Sequence, residues 1–218
     1  MIKIEHTEVF GWEASIRGLR NPKNSWDKSD SRWTNGYISD NHVAVQCGGQ
    51  DLEFQIGPND LKLMKTLSKA GNDHGKFLRM INVTCDITAP LYWWKEFDTY
   101  KIGTVANSCS TMHKIAAKPF ELDDFSHEHL YNTEPLEYII KCLNQQRYFY
   151  LDEKNKAHWW QMIQLLPTSY NQKRTVQFNY QVLKSMYFAR KDHKLDEWHT
   201  LCDWTLTLPM FNEICVED

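Results

Sequence analysis

Residues 177–191, QFNYQVLKSMYFARK, contain the pattern from which we predict the surrounding fold. They predict a helix from about Asn179 to Arg190, two positions that are eleven residues apart. Eleven steps of about 100° return to nearly the same side of a helix, about 16 Å further along its axis. These two side chains therefore share one face, which suits an extended ligand, while Gln181 points to roughly the opposite side. Helix capping by Asn179 and a dipole interaction of Arg190 account for the same residues without a ligand.

Hydrophobic spacing, glycines and prolines predict the other elements, including a loop with Lys173 and Arg174 that precedes this helix. Strands come early and helices late, without strict alternation, so the fold class is α+β, with a mixed or antiparallel sheet flanked by helices. We expect a single domain over residues 1–218. The predicted segments are a surface loop at 21–36 and strands within 37–47, 51–56 and 77–88. Three helices are predicted to begin at 57–58, at Pro90 and at Pro135, a fourth is predicted to end at Pro167, and a fifth covers 193–206.

The composition excludes several classes of protein. The chain has 25 basic and 28 acidic residues, a net charge of −3, so it lacks the positive field that gathers nucleic acid non-specifically. The 42% hydrophobic content argues against disorder. Six cysteines without a CxxC pair predict reduced thiols. Residues 1–15 do not resemble a signal peptide and no apolar run reaches the roughly 18 residues of a membrane span, so we predict a cytoplasmic protein with no membrane or nucleic-acid partner.

Short catalytic motifs give little support to any reaction. GxGxxG, GxxxxGK[ST], HExxH and GxSxG are all absent from the sequence. His127 and His129 form an HxH step that could share a metal, but no further ligands are indicated; a solvated turn is favoured and no metal is predicted. Cys109 and His113 are four residues apart, which would place a thiol and an imidazole on one helical face. A structural thiol is the favoured interpretation, because cysteine is so often buried.

Two longer segments, residues 77–115 and 165–201, resemble the flavin-dependent thymidylate synthase family, the thymidylate synthase complementing proteins. The first is similar to the family stretch in which a strand passes through Ala-Pro into a helix, an Arg-His-Arg triplet and an Asn-Glu-x-Ser-x-Arg-Tyr segment. The second is similar to the family run with Leu-Pro, an Asn-x-Arg-x-Leu helix, Leu-Arg and an Ala-Gln-x-Glu-Ile helix. The resemblance implies a thymidylate synthase complementing protein-like fold and a homotetramer with sites between subunits.

The resemblance also implies site residues, with some departures from the family pattern. The family triplet falls on residues 99–101, its Asn-Glu-x-Ser-x-Arg on residues 107–112, and its pyrimidine-contacting arginine on Arg190. Met112 and Gln181 stand where the family has arginines, and Lys101, Lys173 and Arg174 are the cations that could compensate. The implied cofactor-binding residues are Thr99, Tyr100, Lys101, Asn107, Asn179, Gln181 and Ser185. The implied nucleotide-binding residues are Ser108, Cys109, Ser110, Gln164 and Arg190, and Arg190 is also the implied catalytic residue.

The function that the resemblance implies is a divergent flavin-dependent thymidylate synthase. Such an enzyme would carry out reductive methylation, or a related one-carbon modification, of a pyrimidine deoxynucleotide similar to dUMP. It would use FAD, with methylene folate and NADPH as co-substrates. The alternative is a catalytically altered, flavin-free nucleotide-binding or regulatory protein on the same scaffold. The missing arginines favour that alternative, because each fixed guanidinium contributes charge-assisted bonds to a phosphate.

Overall fold

A computed structural model describes residues 2–35, 41–49 and 52–217. The described residues contain seven strands and eight α-helices, together with short turns of 3-10 helix and a π-helical turn, Asn212–Val216. The strands are β1 Lys3–Phe10, β2 Arg32–Asn35, β3 Val43–Cys47, β4 Leu52–Ile56, β5 Asn82–Pro90, β6 Val105–Ser108 and β7 Asn171–Asn179. The helices are α1 Trp12–Arg20, α2 Pro58–Lys69, α3 Leu91–Phe97, α4 Thr111–Lys114, α5 Glu134–Glu153, α6 Lys156–Leu165, α7 Tyr180–Arg190 and α8 Asp196–Leu206.

The described strands form two sheets. One has four strands in the order β1-β5-β7-β6, and the other has three antiparallel strands in the order β2-β4-β3. In the smaller sheet Trp33 lies opposite Phe54, and the β3 register shifts between Ala44 and Gln46. The predicted α+β class with an antiparallel sheet and helices is therefore confirmed.

The chain divides into two compact units, each built from separate segments. Unit 1 consists of Met1–Glu5, Asp86–Thr99 and Ala106–Thr175, and unit 2 of His6–Cys85, Tyr100–Val105 and Val176–Asp218. The division falls within the strands of the four-stranded sheet, so each unit contains part of that sheet. The single domain over residues 1–218 stays a prediction.

Helix prediction was accurate because the apolar spacing and proline positions are local signals. The helices α2, α3, α5, α6, α7 and α8 all lie where the sequence indicated them. The strands predicted within 37–47 and 51–56 are β3 and β4, although residues 37–40 and 51 lie outside the described part of the chain. The expected surface loop at 21–36 contains two 3-10 turns and β2, and Gly36 lies outside the described residues.

Two other segments differ in secondary structure from the prediction. The strand expected from Phe77 begins at Asn82, and the residues before it form a 3-10 helix, Gly75–Arg79. Phe77 and Leu78 are neighbours and both are buried, which a strand with one buried face does not allow. The loop expected at Lys173 and Arg174 is instead the first half of β7, since those polar side chains have partners in unit 1.

Each unit has its own hydrophobic core. In unit 1, Phe120, Phe125, Leu143 and Met162 belong to a cluster that packs the α5–α6 hairpin. In unit 2, the edge of Trp12 meets Tyr180 at 5.4 Å between ring centres, and Tyr180 meets Phe211 at 5.3 Å. Within the described ranges no helix combines the length and the apolar character that a membrane crossing requires.

Unit 2 also contains a buried ion pair between α1 and α2. Arg20 donates from Nε to Oδ1 of Asp60 at 2.8 Å, and its Nη2 lies 2.6 Å from the same oxygen. The other carboxylate oxygen accepts from the hydroxyls of Ser29 and Ser31, each at 2.7 Å. Burial raises the pKa of Asp60, but the hydrogen bonds from Ser31, Ser29 and Arg20 outweigh it and hold that pKa below its usual value.

Candidate functional site

A cleft of about 260 Å³ lies in unit 1 and contains two of the predicted nucleotide-binding residues, Cys109 and Ser110. It is a little smaller than the roughly 300–1,000 Å³ typical of small-molecule pockets. Its lining side chains include hydroxyl, amide, ammonium and carboxylate groups. The lining residues are Thr88, Cys109, Ser110, Thr111, Lys114, Asp123, Asp124, Tyr170, Asn171, Gln172 and Lys173.

The backbone around Ser110 is fixed from two sides. Ser110 is the N-cap of α4, and its Oγ accepts a hydrogen bond from the His113 amide at 3.2 Å. The Cys109 amide donates to the Lys173 carbonyl at 3.0 Å, which joins the residue after β6 to β7. Cys109 is exposed, so its thiol is not the buried structural group that we predicted. It also precedes α4, so Cys109 and His113 do not share a helical face.

Charges on the cleft wall largely compensate one another. The Lys173 ammonium lies 2.9 Å from the Asp86 carboxylate, and this hydrogen bond raises the pKa of Lys173. Lys118 lies outside the lining set but pairs with Asp124 at 2.6 Å. Burial raises the pKa of Tyr170, so the phenol in the wall stays protonated at neutral pH. The cleft thus carries charged and hydrogen-bonding groups without being strongly positive.

Arg174, which we expected as a compensating phosphate contact, is engaged inside unit 1. Its Nη1 lies 2.7 Å from Asp98, and its Nε donates to Oε1 of Gln172 at 3.0 Å. The guanidinium carbon lies 4.2 Å above the centre of the Trp94 ring. A cation that stacks on an aromatic ring and pairs with a carboxylate is held in one orientation.

Other predicted residues of unit 1 lie outside the lining set of the cleft. Ser108 and Asn107 lie on β6 with exposed side chains, and Gln164 is exposed on α6. Thr99 donates from its hydroxyl to the Glu96 carbonyl at 2.7 Å, just after α3. In the described ranges we find no group of three or more possible metal ligands, and His127 Nδ1 lies 2.8 Å from the Phe125 carbonyl oxygen.

The predicted catalytic Arg190 lies at the end of α7 in unit 2, where two aromatic side chains hold it. Its Nε donates to the hydroxyl of Tyr100 at 3.0 Å, and its guanidinium carbon lies 4.7 Å from the ring centre of Trp198. Trp198 is fully buried, and Tyr100 meets it edge-on at 6.0 Å. The structure therefore brings Arg190 and Tyr100 together, two residues that the sequence assigned to different ligands.

The three predicted flavin contacts of α7 take part in local hydrogen bonds. Asn179 caps the helix, because its Oδ1 accepts from the Val182 amide at 3.1 Å. Gln181 donates to Oδ1 of Asn72 at 3.2 Å, and the hydroxyl of Ser185 donates back to the Gln181 carbonyl at 3.0 Å. The capping interpretation of Asn179 is confirmed.

Gly103 brings the backbone close to the Asn179 amide. A Cβ at Gly103 would lie 3.0 Å from Nδ2 of Asn179, and the backbone there has φ +78°, which favours glycine. Lys101, two residues earlier, is exposed and is the one cation among the seven predicted cofactor-binding residues. The predicted cofactor-binding residues of unit 2 thus carry amide, hydroxyl and ammonium groups.

Among known proteins, the matches to this chain come from solved structures. No family model and no curated protein matches the chain. A crystal structure of the flavin-dependent thymidylate synthase from Helicobacter pylori, complexed with FAD and dUMP, matches with a TM-score of 0.70 at 13% identity, over 98% of each chain. A second structure of that protein, also with FAD and dUMP, has a TM-score of 0.67 at 13% identity, over 99% of this chain and 98% of that one.

This is the fold of flavin-dependent thymidylate synthase. The resemblance found in residues 77–115 and 165–201 is confirmed at the level of fold, and the likeness extends over almost the whole chain. At 13% identity, the shared thymidylate synthase fold does not show that residues of this chain have the roles of their counterparts in that protein.

Sequence reasoning missed Gln172 and Tyr170 as residues of the cleft wall. A usable signal was present: in RTVQFN, residues 174–179, polar and apolar side chains alternate, which indicates a strand. Extending that strand toward its N-terminus would have brought Gln172 onto the sheet beside β6, the neighbour of β7 in the thymidylate synthase fold seen here.

Proposed function

We propose that this protein is a divergent flavin-dependent thymidylate synthase that binds a pyrimidine deoxynucleotide similar to dUMP. The observation that carries the proposal is the cleft of unit 1, where Cys109 and Ser110 lie among hydroxyl, amide and ammonium groups on a flavin-dependent thymidylate synthase fold. The neighbouring structures were solved with FAD and dUMP, which supports a nucleotide ligand and this cofactor.

The cleft offers groups that bind a phosphate ester. Hydroxyls of Ser110 and Thr111 donate to phosphate oxygens, and Lys114 on α4 supplies a positive charge next to them. Lys173 also lines the cleft, but its charge is shared with Asp86. Because the volume is about 260 Å³, we expect this cleft to hold part of the nucleotide, the phosphate and sugar, rather than all of it.

In this proposal Arg190 orients the base, while Asn179, Gln181 and Lys101 hold the flavin. Reduced FAD, when bound, supplies a hydride for reductive methylation or a related one-carbon modification, with methylene folate and NADPH as co-substrates. Arg190 keeps a fixed orientation because Tyr100 accepts its Nε–H and Trp198 supports its plane. We further propose that the chain forms a homotetramer, in which subunits share these sites.

A second candidate is a flavin-free nucleotide-binding or regulatory protein on the same scaffold. The observation that favours it is the shortage of cations: Lys101 is the one cation among the predicted cofactor-binding residues, and Gln181 stands at a family arginine position. Met112 stands where the family arginine helps hold the nucleotide phosphate. A dinucleotide that loses such a charge-assisted contact binds more weakly by about 1.5–3 kcal/mol for each contact. Both candidates bind a pyrimidine nucleotide, but only the first binds flavin.

Flavin binding separates the two candidates. The purified protein should be yellow, or should develop a shifted flavin absorbance band and quenched flavin fluorescence when FAD is added. Gln181→Arg restores the arginine of the family and should tighten FAD binding about tenfold or more. A colourless protein that binds no added FAD, even as the Gln181→Arg variant, would exclude the flavin enzyme and leave the second candidate.

Nucleotide binding tests what both candidates share. Calorimetric titration with dUMP, with deoxyuridine as the control that lacks phosphate, should show binding of dUMP alone. Ser110→Ala and Arg190→Ala should each weaken dUMP binding about tenfold or more, because each removes a hydrogen-bond donor to the ligand. Gln177 is an exposed residue of β7, and Gln177→Ala is the matched control, which should leave dUMP binding unchanged. Wild-type protein that binds no pyrimidine nucleotide would contradict the proposed function.

A further inference from the structure

The side-chain amide of Gln172 holds both sides of Ser110. Its Nε2 donates to the Cys109 carbonyl at 3.0 Å and to the hydroxyl of Thr111 at 3.2 Å. Cys109 and Thr111 are the two chain neighbours of Ser110, so a single amide group ties the residue before it and the residue after it to β7. The Cys109 amide completes this link by donating to the Lys173 carbonyl at 3.0 Å.

Arg174 determines which way the Gln172 amide faces. The Nε of Arg174 donates to Oε1 of Gln172 at 3.0 Å, which leaves the NH2 group of the amide turned toward Cys109 and Thr111. The opposite orientation would place an NH2 group against an N–H donor and an oxygen against a carbonyl oxygen, so it is unfavourable. The Arg174 contact thus selects the orientation in which Gln172 donates to the turn.

Arg174 is in turn fixed by Asp98 and by Trp94. The Asp98 carboxylate lies 2.7 Å from Nη1 of Arg174, and the guanidinium carbon lies 4.2 Å above the centre of the Trp94 ring. Trp94 also donates from Nε1 to the Gln172 carbonyl at 2.9 Å, so the backbone of Gln172 is tied to the same ring. The side chain of Arg174 is 15% exposed, so the guanidinium is largely shielded from water, whereas its partner Asp98 is 52% exposed.

We infer that Gln172 and Arg174 are positioning residues for the nucleotide site, with Gln172 setting the geometry of the Cys109–Ser110–Thr111 turn and Arg174 setting Gln172. This inference rests on the proposed function, since it assigns the turn to the nucleotide. Arg174 then acts on the ligand through Gln172 and not as a phosphate contact. A hydroxyl that is held in place before binding loses less conformational freedom when the phosphate arrives, so binding is tighter.

The test compares amide hydrogen exchange in the absence of ligand, by NMR, in wild type, Gln172→Met, Arg174→Met and the double variant. Methionine is unbranched and removes the amide without adding charge. We expect the Cys109 amide to exchange about tenfold faster in Gln172→Met, because the bond to Lys173 loses the support of the neighbouring donor. Arg174→Met should show the same change, and the double variant should add little, because the two residues act in series.

The exposed Gln177→Met variant on β7 is the matched control and should leave exchange at Cys109 unchanged. Amides of α5, remote in sequence, report whether each variant folds; acceleration there as well would mean general destabilisation and would contradict a positioning role. Unchanged exchange at Cys109 in Gln172→Met, or fully additive effects in the double variant, would also overturn the inference.

Titration with dUMP then links the turn to the ligand. Gln172→Met and Arg174→Met should each weaken dUMP binding about tenfold, and the double variant should weaken it no further. If the exchange results hold while wild type binds no nucleotide, the proposed function fails and the structural coupling stands. If wild type binds dUMP and the variants bind it equally well, the positioning inference fails and the proposed function stands.

Discussion

Two arginine–aspartate pairs, one in each unit, have nearly the same length and very different surroundings. In unit 2 the Arg20 Nη2 lies 2.6 Å from Asp60, and the two side chains are 7% and 0% exposed. In unit 1 the Arg174 Nη1 lies 2.7 Å from Asp98, and the side chains are 15% and 52% exposed. The Asp60 carboxylate also accepts hydrogen bonds from two serine hydroxyls, whereas the Asp98 carboxylate faces solvent.

Distance alone therefore does not indicate what an ion pair does. A buried pair leaves an uncompensated charge when one partner is removed, so loss of either Arg20 or Asp60 alone should strongly destabilise the packing of α1 on α2. A solvent-exposed carboxylate is screened, so the Arg174–Asp98 pair contributes little to global stability and acts on the local orientation of Gln172. The predictions below test this difference.

The largest effect should come from Arg20→Met. This change leaves the Asp60 carboxylate buried without its cation, and the free energy of unfolding should fall by about 3–5 kcal/mol. Arg174→Met is the matched change in the other unit and should lower it by no more than about 1 kcal/mol. Urea unfolding followed by circular dichroism measures both; equal losses would show that burial does not distinguish the two pairs.

The pH dependence of stability should report the lowered pKa of Asp60. Since the folded pKa of Asp60 lies below its usual value of 3.8, its contribution is fully present above that value. It is lost as the pH falls through 3.8 toward the folded pKa, because over that range the unfolded state binds a proton that the folded state does not bind. Urea unfolding measured across this acid range should show a shallower loss in Asp60→Asn than in wild type; an equal loss would contradict the lowered pKa of Asp60.

Gly57→Ala should disturb the buried pair through its neighbour. An added Cβ would lie 2.2 Å from Cγ of Asp30, whose carboxylate accepts from the Asn59 and Asp60 amides at the start of α2. We expect a loss of about 1–3 kcal/mol from this overpacking. The double variant with Asp30→Ala should lose less than the sum of the single changes, as thermal unfolding can show; full additivity would mean that the clash is elsewhere.

The smallest effect should come from Asp98→Asn. We expect a loss of about 0.2–1 kcal/mol in the free energy of unfolding. That loss should shrink when the salt concentration rises to about 1 M, where charges are screened within about 3 Å. The loss caused by Asp60→Asn should change little with salt, because water and ions do not reach it. A salt-independent effect at Asp98 would place that pair among the buried ones.

The sequence allowed most of the helices to be predicted, because their signals are local. Apolar residues at helical spacing behind Pro135 were enough to locate α5, and Asn179 was correctly interpreted as a cap. The strand β7 was missed, because the polar side chains of its first half are explained only by partners far away in the chain, such as Asp86. Polar strands of this kind depend on cross-strand contacts that a single sequence does not display.

The residues of the cleft were also predictable only in part, because local motifs indicate some of them and distant contacts determine the others. The resemblance nominated Cys109 and Ser110, which do line it, from a contiguous motif. Gln172 and Arg174 act on that motif from more than sixty residues away in sequence, as the separation of Gln172 from Cys109 shows. Nothing in the local pattern of either segment reveals that the amide of one faces the carbonyl of the other.

The exposed thiol beside Ser110 gives the protein a natural attachment point. Burial raises the pKa of Cys202 to about 11 and that of Cys215 to about 12, so these thiols resist alkylation, whereas Cys109 and Cys47 are exposed. A maleimide dye coupled to Cys109 in a Cys47→Ser background would sit at the mouth of the cleft. Oxidants and electrophiles would reach the same Cys109 sulfur, so storage under reducing conditions should preserve ligand binding in the cleft.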